Sequence, residues 1–240
     1  MPVRGTYGRD PRPRRPHRST RATARGAAVT ISYASSELIL DNLIIGYTAP
    51  LRDPINVQVH PGRILGILGS SGCGKSTLLS TIAGIVPALG GDVFLDGERI
   101  TDLRIDERRV GLVFQEPLLF DHLSVADNVA YGLRRQGVPR SQARARAREL
   151  LTWIGLPDFD ERSVTTLSGG QAQRIALARA VAPAPRALLL DEPFSALDAP
   201  LRRRLALETR ERIESLGIPA IHVTHDPEEA ALICSEILSW

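Results

Sequence analysis

The sequence predicts an α/β protein with a mainly parallel, doubly wound sheet, an antiparallel β edge and an inserted helical subdomain. Three observations lead to this fold class. Short apolar runs typical of buried strands alternate with helical patterns over most of the chain. A strand pattern over 92–95 ends in Asp96-Gly97, a turn that favours an antiparallel hairpin. Strand patterns then disappear from 117 to about 166, where helical segments dominate.

The individual elements follow from local signals. Strand patterns over 38–46 and 55–59 are separated by a proline-containing loop, and a His-Pro-Gly turn leads into a strand over 63–68. Further along, the patterns predict helices over 75–83, 125–132, 141–154, 170–181 and 199–216, and strands over 109–114, 187–190 and 220–223. Because helices connect the later strands, right-handed crossovers and parallel pairing are expected.

Side-chain signals support two of these helices. Ser168 can cap the helix that starts near 170, and two prolines after 181 end it. The helix over 199–216 is expected to gain from pairs of opposite charge four residues apart, Glu208 with Arg212 and Arg210 with Glu214.

Composition excludes two classes of protein. A chain of 240 residues can bury a sizeable core, and its two cysteines, Cys73 and Cys234, are too few for a disulfide framework or a zinc cluster. A reducing compartment is therefore expected. No apolar run approaches the ~18 residues of a membrane span, so we expect any membrane-spanning part to belong to another chain.

Positive charge is concentrated at the start of the sequence. Residues 1–26 hold eight arginines and one acidic residue, whereas the rest has a net charge of −4. Residues 1–27 are therefore predicted to be a disordered basic arm that precedes a domain over 36–240, with the helical subdomain at about 117–166. The arm could be a mis-set start, a plain tail or a tether for acidic lipid or nucleic acid, and the domain itself gives no global reason to expect nucleic-acid binding.

Lys75 is the only lysine among 30 basic residues. A chain that otherwise uses arginine and keeps one lysine indicates a site where a compact ammonium is required. Lys75 belongs to the segment GSSGCGKST, which fits the pattern G-x-x-x-x-G-K-[ST] between a predicted strand and a predicted helix. The nine residues of this nucleotide-binding loop are Gly69, Ser70, Ser71, Gly72, Cys73, Gly74, Lys75, Ser76 and Thr77.

The chemistry of this loop suits a nucleoside triphosphate and predicts a P-loop NTPase. Its glycines let backbone N–H groups turn toward phosphates, and the following helix N-terminus adds a positive dipole. Lys75 is expected to reach the β- and γ-phosphates, and Ser76 to bind Mg²⁺. A purely structural glycine-rich turn is the alternative, which the flanking strand and helix disfavour.

A second motif, ALLLDEP over 187–193, is an apolar strand that ends in two acids. Asp191 is expected to hold Mg²⁺ through its water shell, and Glu192 to orient or deprotonate an attacking water. Taken alone, such an acidic pair is more often a solvated loop, but the nucleotide-binding loop upstream favours the catalytic interpretation.

A third motif resembles a known family. Leu167-Ser168-Gly169-Gly170-Gln171 is the signature of ATP-binding cassette (ABC) ATPases, and it stands between the other two motifs as it does in that family. Ser168 and the backbone at Gly169 and Gly170 open a helix whose positive end can bind a γ-phosphate. The resemblance, which extends over about 38–238, implies that this phosphate belongs to ATP held by another subunit.

Four further residues match family positions. The resemblance implies that Tyr47 stacks on adenine and that Gln115 senses Mg²⁺ and the attacking water and links to a membrane partner. It also implies that Asp198, in the segment SALD, crosses a dimer interface and that His225 contacts the γ-phosphate. Alone, Tyr47 would more often be a surface aromatic and His225 a structural histidine. His222 is interpreted as structural.

One check is independent of the family. Gly69, Gln115, the pair Asp191-Glu192 and His225 each fall at or just beyond the C-terminal end of a separate predicted strand. Open α/β sheets bind ligands at that edge. The sequence therefore predicts that one site gathers these residues.

Within the family, the segments 111–124 and 191–198 are most similar to ATP-binding subunits of bacterial importers for thiamine, iron(III), polyamines or molybdate. That likeness implies that two copies, or this chain and a close relative, pair head to tail and sandwich two ATP. The pair is expected to energise a separate membrane permease from the cytoplasmic face of the cell membrane, with a solute-binding protein as a further partner. No direct nucleic-acid contact is expected. Trp240 follows soon after His225, so the final strands and the regulatory domain of many such importers are expected to be missing.

A soluble ABC-type ATP switch acting on ribosomes or DNA, anchored by the arm, is the alternative from another class. Its known representatives usually carry two cassettes or a long coiled coil in the helical part, and the short helical segment of this sequence favours transport. A nucleotide kinase is a more distant alternative, because it would leave the 167–171 signature without a role.

Overall fold

A computed structural model describes residues 37–240, so the predicted arm over 1–27 lies outside the described residues. The strands are β1 Leu38–Ile44, β2 Ile55–Val59, β3 Ile64–Leu68, β4 Gly90–Leu95, β5 Glu98–Arg99, β6 Val110–Val113, β7 Ala187–Asp191, β8 Ala220–Thr224 and β9 Glu236–Ser239. The helices are α1 Lys75–Ala83, α2 Val125–Arg135, α3 Arg140–Trp153, α4 Gly169–Val181, α5 Ala199–Leu216 and α6 Pro227–Ile233, with a 3₁₀ turn at Val164–Thr166.

The described strands form two sheets. The first is antiparallel with the order β2-β1-β4-β5, and the second is parallel with the order β6-β7-β8-β3-β9. Every residue of β7 and β8 is buried, as expected for central strands that are covered on both faces. The predicted α/β fold class with a parallel doubly wound sheet and an antiparallel edge is confirmed.

The parallel sheet separates two hydrophobic cores. Alternate residues of β7 point to opposite faces, so Leu189 packs with α1 and the antiparallel sheet, whereas Leu188 and Leu190 pack with α2, α3, α4 and α5. This two-sided burial fixes the strand register, because a shift by one residue would exchange the two faces.

The turn between β4 and β5 explains the antiparallel edge. Asp96 and Gly97 both have positive φ, 57° and 74°, which is the backbone of the two-residue hairpin turn that the right-handed strand twist favours. Leu95 pairs with Glu98 directly across this turn.

One of the final strands that were expected to be missing is present. A strand does follow His225: β9 pairs in parallel with β3, and the Trp240 N–H donates to the Leu68 carbonyl at 2.8 Å. A strand of four mostly exposed residues has too little apolar periodicity to be detected in sequence.

None of the helices in the described part of the chain has the length and hydropathy of a membrane span.

On α5, one of the two predicted ion pairs has a different partner. Glu208 pairs with Arg204 at 3.6 Å instead of with Arg212, whose guanidinium lies 5.8 Å from the ring centroid of Trp153. The predicted pair of Arg210 with Glu214 forms at 2.9 Å. Packing against a neighbouring aromatic ring redirects Arg212, which helix spacing cannot reveal.

One buried arginine joins α1 to the segment before β6. Arg108 is 5% exposed, and its Nε donates to the Leu103 carbonyl at 3.0 Å. Its Nη1 donates to the carbonyls of Thr81 and Ile82 at 2.9 Å each, and its Nη2 donates to the Thr101 carbonyl. The guanidinium therefore satisfies carbonyls at the negative C-terminal end of α1.

We expect Arg108→Leu to lower the free energy of unfolding by about 3–5 kcal/mol, because several buried carbonyls lose their donor at once. Urea denaturation measures this change. Arg104→Leu is the matched control, since that exposed side chain makes only a surface pair with Asp106, and a change within about 0.5 kcal/mol is expected. Equal effects of the two substitutions would contradict this assignment.

Candidate active site

The C-terminal ends of four adjacent parallel strands carry the predicted motifs. In the order β6-β7-β8-β3, the strands end just before Gln115, at Asp191, just before His225 and just before Gly69. Neighbouring parallel strands place these ends side by side at one edge. The structure thus brings the segments together as the strand-end argument expects.

The glycine-rich loop has the backbone that phosphate binding requires. Gly72 and Gly74 have φ of 83° and 96°, a region that L side chains rarely adopt, and nothing lies within 4 Å of a Cβ placed on Gly72. Helix α1 then begins at Lys75 with no side-chain cap and no acidic residue in its first turn. The first N–H groups of α1 are therefore left for an anion.

Lys75 is held inside this loop. It is 5% exposed, and its Nζ donates to the carbonyls of Gly69 and Ser70 at 2.8 Å each. The Cys73 Sγ lies 3.8 Å from the same nitrogen. These contacts place the ammonium against the loop that is predicted to bind phosphates.

Two polar side chains of the site contact the carboxylate of Glu192. Its Oε2 lies 3.0 Å from His225 Nδ1 and accepts from Gln115 Nε2 at 3.3 Å. Its own φ is 46°, and its N–H donates to the Val223 carbonyl at 3.0 Å. A non-glycine residue in this backbone region is strained, and such strain is concentrated at functional sites. The strained turn directs the carboxylate out of the end of β7 toward two polar side chains.

Asp191 and Ser76 form the part of the site that would suit Mg²⁺. Burial raises the pKa of Asp191 above its usual value, and the nearby Ser76 hydroxyl acts against that shift. A hydroxyl, a carboxylate and the amide oxygen of Gln115 are hard oxygen ligands of the kind Mg²⁺ prefers. Mg²⁺ is usually held by one or two carboxylates together with substrate phosphates, which this small donor set fits.

Most of the predicted site residues line one cleft of about 600 Å³. This volume is typical of small-molecule sites. Its lining residues are Tyr47, Leu51, Ser71, Gly72, Gly74, Lys75, Ser76, Thr77, Gln115, Glu192 and His225. Tyr47 is 70% exposed, so its ring is available to a ligand. Leu51, also exposed, had no sequence signal, because a lone leucine in a proline-containing loop does not differ from any surface leucine.

Asp191 and some residues of the predicted nucleotide-binding loop are absent from the lining of the cleft. Gly69, Ser70 and Cys73 do not line it, and two of them hold Lys75 through their carbonyls. A Cβ on Gly69 would come within 2.9 Å of the Trp240 carbonyl oxygen, which explains glycine at this position.

Other predicted residues are absent from the cleft lining. Ser168 caps α4, since its Oγ accepts from the Gln171 N–H at 3.3 Å and its own N–H donates to Gln171 Oε1 at 3.0 Å. Gly169 has nothing within 4 Å of a built Cβ, whereas Gly170 packs closely on Leu197. The segment 168–171 therefore presents an open helix start away from the cleft of its own chain.

Asp198 is also absent from the cleft lining. It caps α5, and its Oδ1 accepts from the Leu201 N–H at 3.0 Å. His222 is fully buried, with its Nε2 2.8 Å from Glu229 Oε1, in a position consistent with its structural interpretation.

A comparison with protein families decides the classification of this chain. The family model described as ABC transporter matches residues 52–195, which cover the nucleotide-binding loop, Gln115, the 167–171 signature and the acidic pair. The chain belongs to the ABC transporter family. The resemblance predicted from the signature motif is confirmed.

Named members of the ABC transporter family resemble the chain closely. It is 47% identical to a sulfate/thiosulfate import ATP-binding protein CysA of Gloeobacter violaceus, over 77% of this chain and 54% of that protein. It is 42% identical to an Fe(3+) ions import ATP-binding protein FbpC of Pasteurella multocida, over 84% of this chain and 58% of that protein. The chain thus spans little more than half the length of these relatives.

Solved ABC cassettes have the same fold. A dimeric structure of MJ0796, a bacterial ABC transporter cassette, superposes with a TM-score of 0.77 at 31% identity, over 84% of this chain and 93% of that one. A post-hydrolysis state of the same cassette bound to ADP and Pi superposes with a TM-score of 0.76 over the same shares.

Proposed function

We propose that this chain is the ATP-hydrolysing, nucleotide-binding subunit of an ABC importer. The observation that carries the proposal is the position of Glu192, which is held by His225 and Gln115 in the cleft that Lys75 and its loop also line. The proposed ATPase domain covers 36–240, with its helical subdomain at about 117–166.

Phosphoryl transfer to water is the reaction that this arrangement suits. Lys75 and the N–H groups of α1 bind the phosphates and offset charge that develops on the γ-phosphoryl group. Glu192 orients the attacking water and accepts its proton. His225 donates to the γ-phosphate from one side, and Gln115 contacts both the water and the catalytic carboxylate. Ser76, Gln115 and Asp191 would hold Mg²⁺, which would supply positive charge beside the phosphates.

A second copy completes the site in this proposal. Ser168, Gly169, Gly170, Gln171 and Asp198 lie outside the cleft of their own chain. In a head-to-tail pair, the open N-terminus of α4 in one subunit faces the γ-phosphate held by the other. That a similar cassette was solved as a dimer supports pairing of two copies. In this proposal, ATP binding closes the dimer and hydrolysis reopens it.

The names of the relatives are the basis for the proposed partner proteins. The two relatives described above are named import ATP-binding proteins, one for sulfate/thiosulfate and one for Fe(3+) ions, which supports an importer that works on a small solute. We propose that the subunit binds peripherally to a separate permease at the cytoplasmic face of the membrane, with a solute-binding protein as the third component.

Capture of the membrane partner tests this function. Tagged Glu192→Gln protein with Mg-ATP is incubated with detergent-solubilised membranes of the source cell, and bound proteins are identified by mass spectrometry. A polytopic permease is the expected partner, and Lys75→Ala protein serves as the control bait that should not lock with ATP. Recovery of ribosomes or DNA without a membrane protein would overturn the transport assignment in favour of a soluble switch.

Tyr47 provides a separate test of nucleotide binding. We expect Tyr47→Ala to raise the Kd for ATP about tenfold, because base stacking on an aromatic ring is worth about 1–3 kcal/mol. Tyr47→Phe keeps the ring and should stay within about twofold of the wild type. Isothermal titration calorimetry measures both, and equal affinities in all three proteins would remove Tyr47 from the binding site.

A further inference from the structure

An arginine near the start of α5 joins two segments that flank the catalytic carboxylate. Arg202 Nη1 donates to Asp226 Oδ2 at 2.8 Å, and Arg202 Nη2 donates to the Leu197 carbonyl at 3.1 Å. Leu197 belongs to the segment 195–198, and Asp226 directly follows His225. One guanidinium therefore ties the segment 195–198 to the turn that carries His225.

The two carboxylate oxygens of Asp226 make different contacts. Its Oδ1 accepts from the N–H groups of Glu228 and Glu229 at 2.9 and 3.3 Å and so caps α6, while its Oδ2 faces Arg202. Burial acts to raise the pKa of Asp226, but these N–H groups and the guanidinium together lower it below its usual value. The carboxylate is thus ionised at neutral pH and forms a charge-assisted bond with Arg202.

This ion pair adjoins the catalytic groups. A cavity of about 60 Å³ is lined by Glu192 and His225 together with Arg202 and Asp226. On the other segment, Ser195 donates from its N–H at 3.3 Å and from its Oγ at 3.0 Å to the Glu192 carbonyl. Arg202 therefore contacts the segments on both sides of the Glu192–His225 hydrogen bond.

The direction of the His225 ring depends on this turn. The ring is mostly exposed, and among the described residues its hydrogen bond is to Glu192. Its backbone is fixed on one side by β8 and on the other by Asp226, whose N–H also donates to Thr224 Oγ1 at 3.1 Å. A shift of Asp226 would move the backbone of His225, and the single hydrogen bond from the ring to Glu192 would then lose its geometry.

We propose that Arg202 and Asp226 form a positioning pair that holds His225 on Glu192 and couples the segment 195–198 to that contact. Neither residue lines the cleft, so the pair acts through His225. The inference rests on the proposed ATPase function, which it deepens by naming residues outside the cleft that set the geometry of the hydrolytic step.

Two substitutions break the ion pair between Arg202 and Asp226 without removing the cap of α6. Asp226→Asn keeps an oxygen that can cap α6 but removes the negative charge, and Arg202→Gln removes the guanidinium. We expect each to lower kcat for ATP hydrolysis about 10- to 100-fold with KM for ATP within about twofold, because a displacement of about 1 Å at a reacting group has effects of that size. The double variant should match the single variants rather than multiply their losses.

Arg210→Gln is the matched control. Arg210 also lies on α5, pairs with Glu214 and donates to the Leu232 carbonyl of α6 at 3.3 Å, at the end of α6 remote from Asp226. Its loss should leave kcat within about twofold. An equal loss of kcat in Arg210→Gln, or losses that multiply in the double variant, would show general docking of α5 on α6 and overturn the positioning role.

A readout without hydrolysis distinguishes this inference from the proposed function. In the wild type, the oxygens of an ionised Glu192 can only accept, so His225 Nδ1 is the donor across the 3.0 Å contact. In Asp226→Asn, the ¹⁵Nδ1 resonance of His225 should move toward that of a histidine without this hydrogen bond. An unchanged His225 spectrum would overturn the positioning role even in an active enzyme. A wild type without ATPase activity would overturn the proposed function, and the NMR result would still decide the positioning role.

Discussion

Glu192→Gln is expected to lower steady-state ATP hydrolysis by about 10²- to 10⁴-fold while ATP still binds. Glutamine has nearly the shape of glutamate, so the contacts of position 192 with Gln115 and His225 can persist. An amide cannot accept the proton of the attacking water, which removes the general base and a contribution of this size. The loss should therefore fall on kcat, with KM for ATP nearly unchanged.

The same variant should trap the closed dimer. When hydrolysis is blocked, bound ATP keeps both copies together, and light scattering after size-exclusion chromatography should detect a dimer that depends on Mg-ATP. Glu211→Gln, on the exposed face of α5, is the matched control and should hydrolyse ATP within about twofold of the wild type. Intact hydrolysis in Glu192→Gln would assign the general base to another residue.

The cleft could be predicted because its position follows from topology. Gly69, Gln115, Glu192 and His225 each follow a short apolar strand, and parallel strands bring their C-terminal ends to one edge. No knowledge of side-chain packing is needed for that argument. The fold class follows from the same alternation of strands and helices.

The contacts that orient the cleft residues could not be predicted. Arg202 reaches Asp226 across 24 positions and Arg108 reaches Thr81 across 27, and nothing in local spacing marks such pairs. In a chain with 29 arginines, composition does not distinguish a buried arginine from a solvated one. The positive φ of Glu192 is likewise a product of the tertiary fold, since glutamate alone gives no sign of it.

The predicted site residues lie in two different places in the structure, and the sequence alone does not indicate which residue lies in which place. Lys75 and Glu192 line the cleft, whereas Ser168 and Asp198 cap helices outside it. Their common role depends on a second copy, and order along a single sequence does not indicate which copy contributes each residue. Their assignment to nucleotide binding therefore stays a prediction, and the dimer-trapping experiment tests the pairing on which it depends.

Lys75→Ala is expected to weaken ATP binding about 100-fold or more and to abolish turnover. The ammonium is the one lysine of the chain, and it lies in the loop where phosphates would bind. Its loss removes a charge-assisted contact to the phosphates, of a kind worth about 1.5–3 kcal/mol, as well as the charge that stabilises the transition state. Isothermal titration calorimetry measures the binding, and phosphate release measures the turnover.

Lys75→Arg is the sharper form of this test, because it keeps the positive charge. One nitrogen, Nζ, donates to the carbonyls of both Gly69 and Ser70, which a compact ammonium on a flexible stem can do. A planar guanidinium is larger and spreads its donors over a rigid fork, so it should clash in the loop and fail to restore turnover. Urea denaturation of both variants separates this effect from a loss of folding. An active Lys75→Arg protein would mean that charge alone suffices and that the single lysine reflects no chemical requirement.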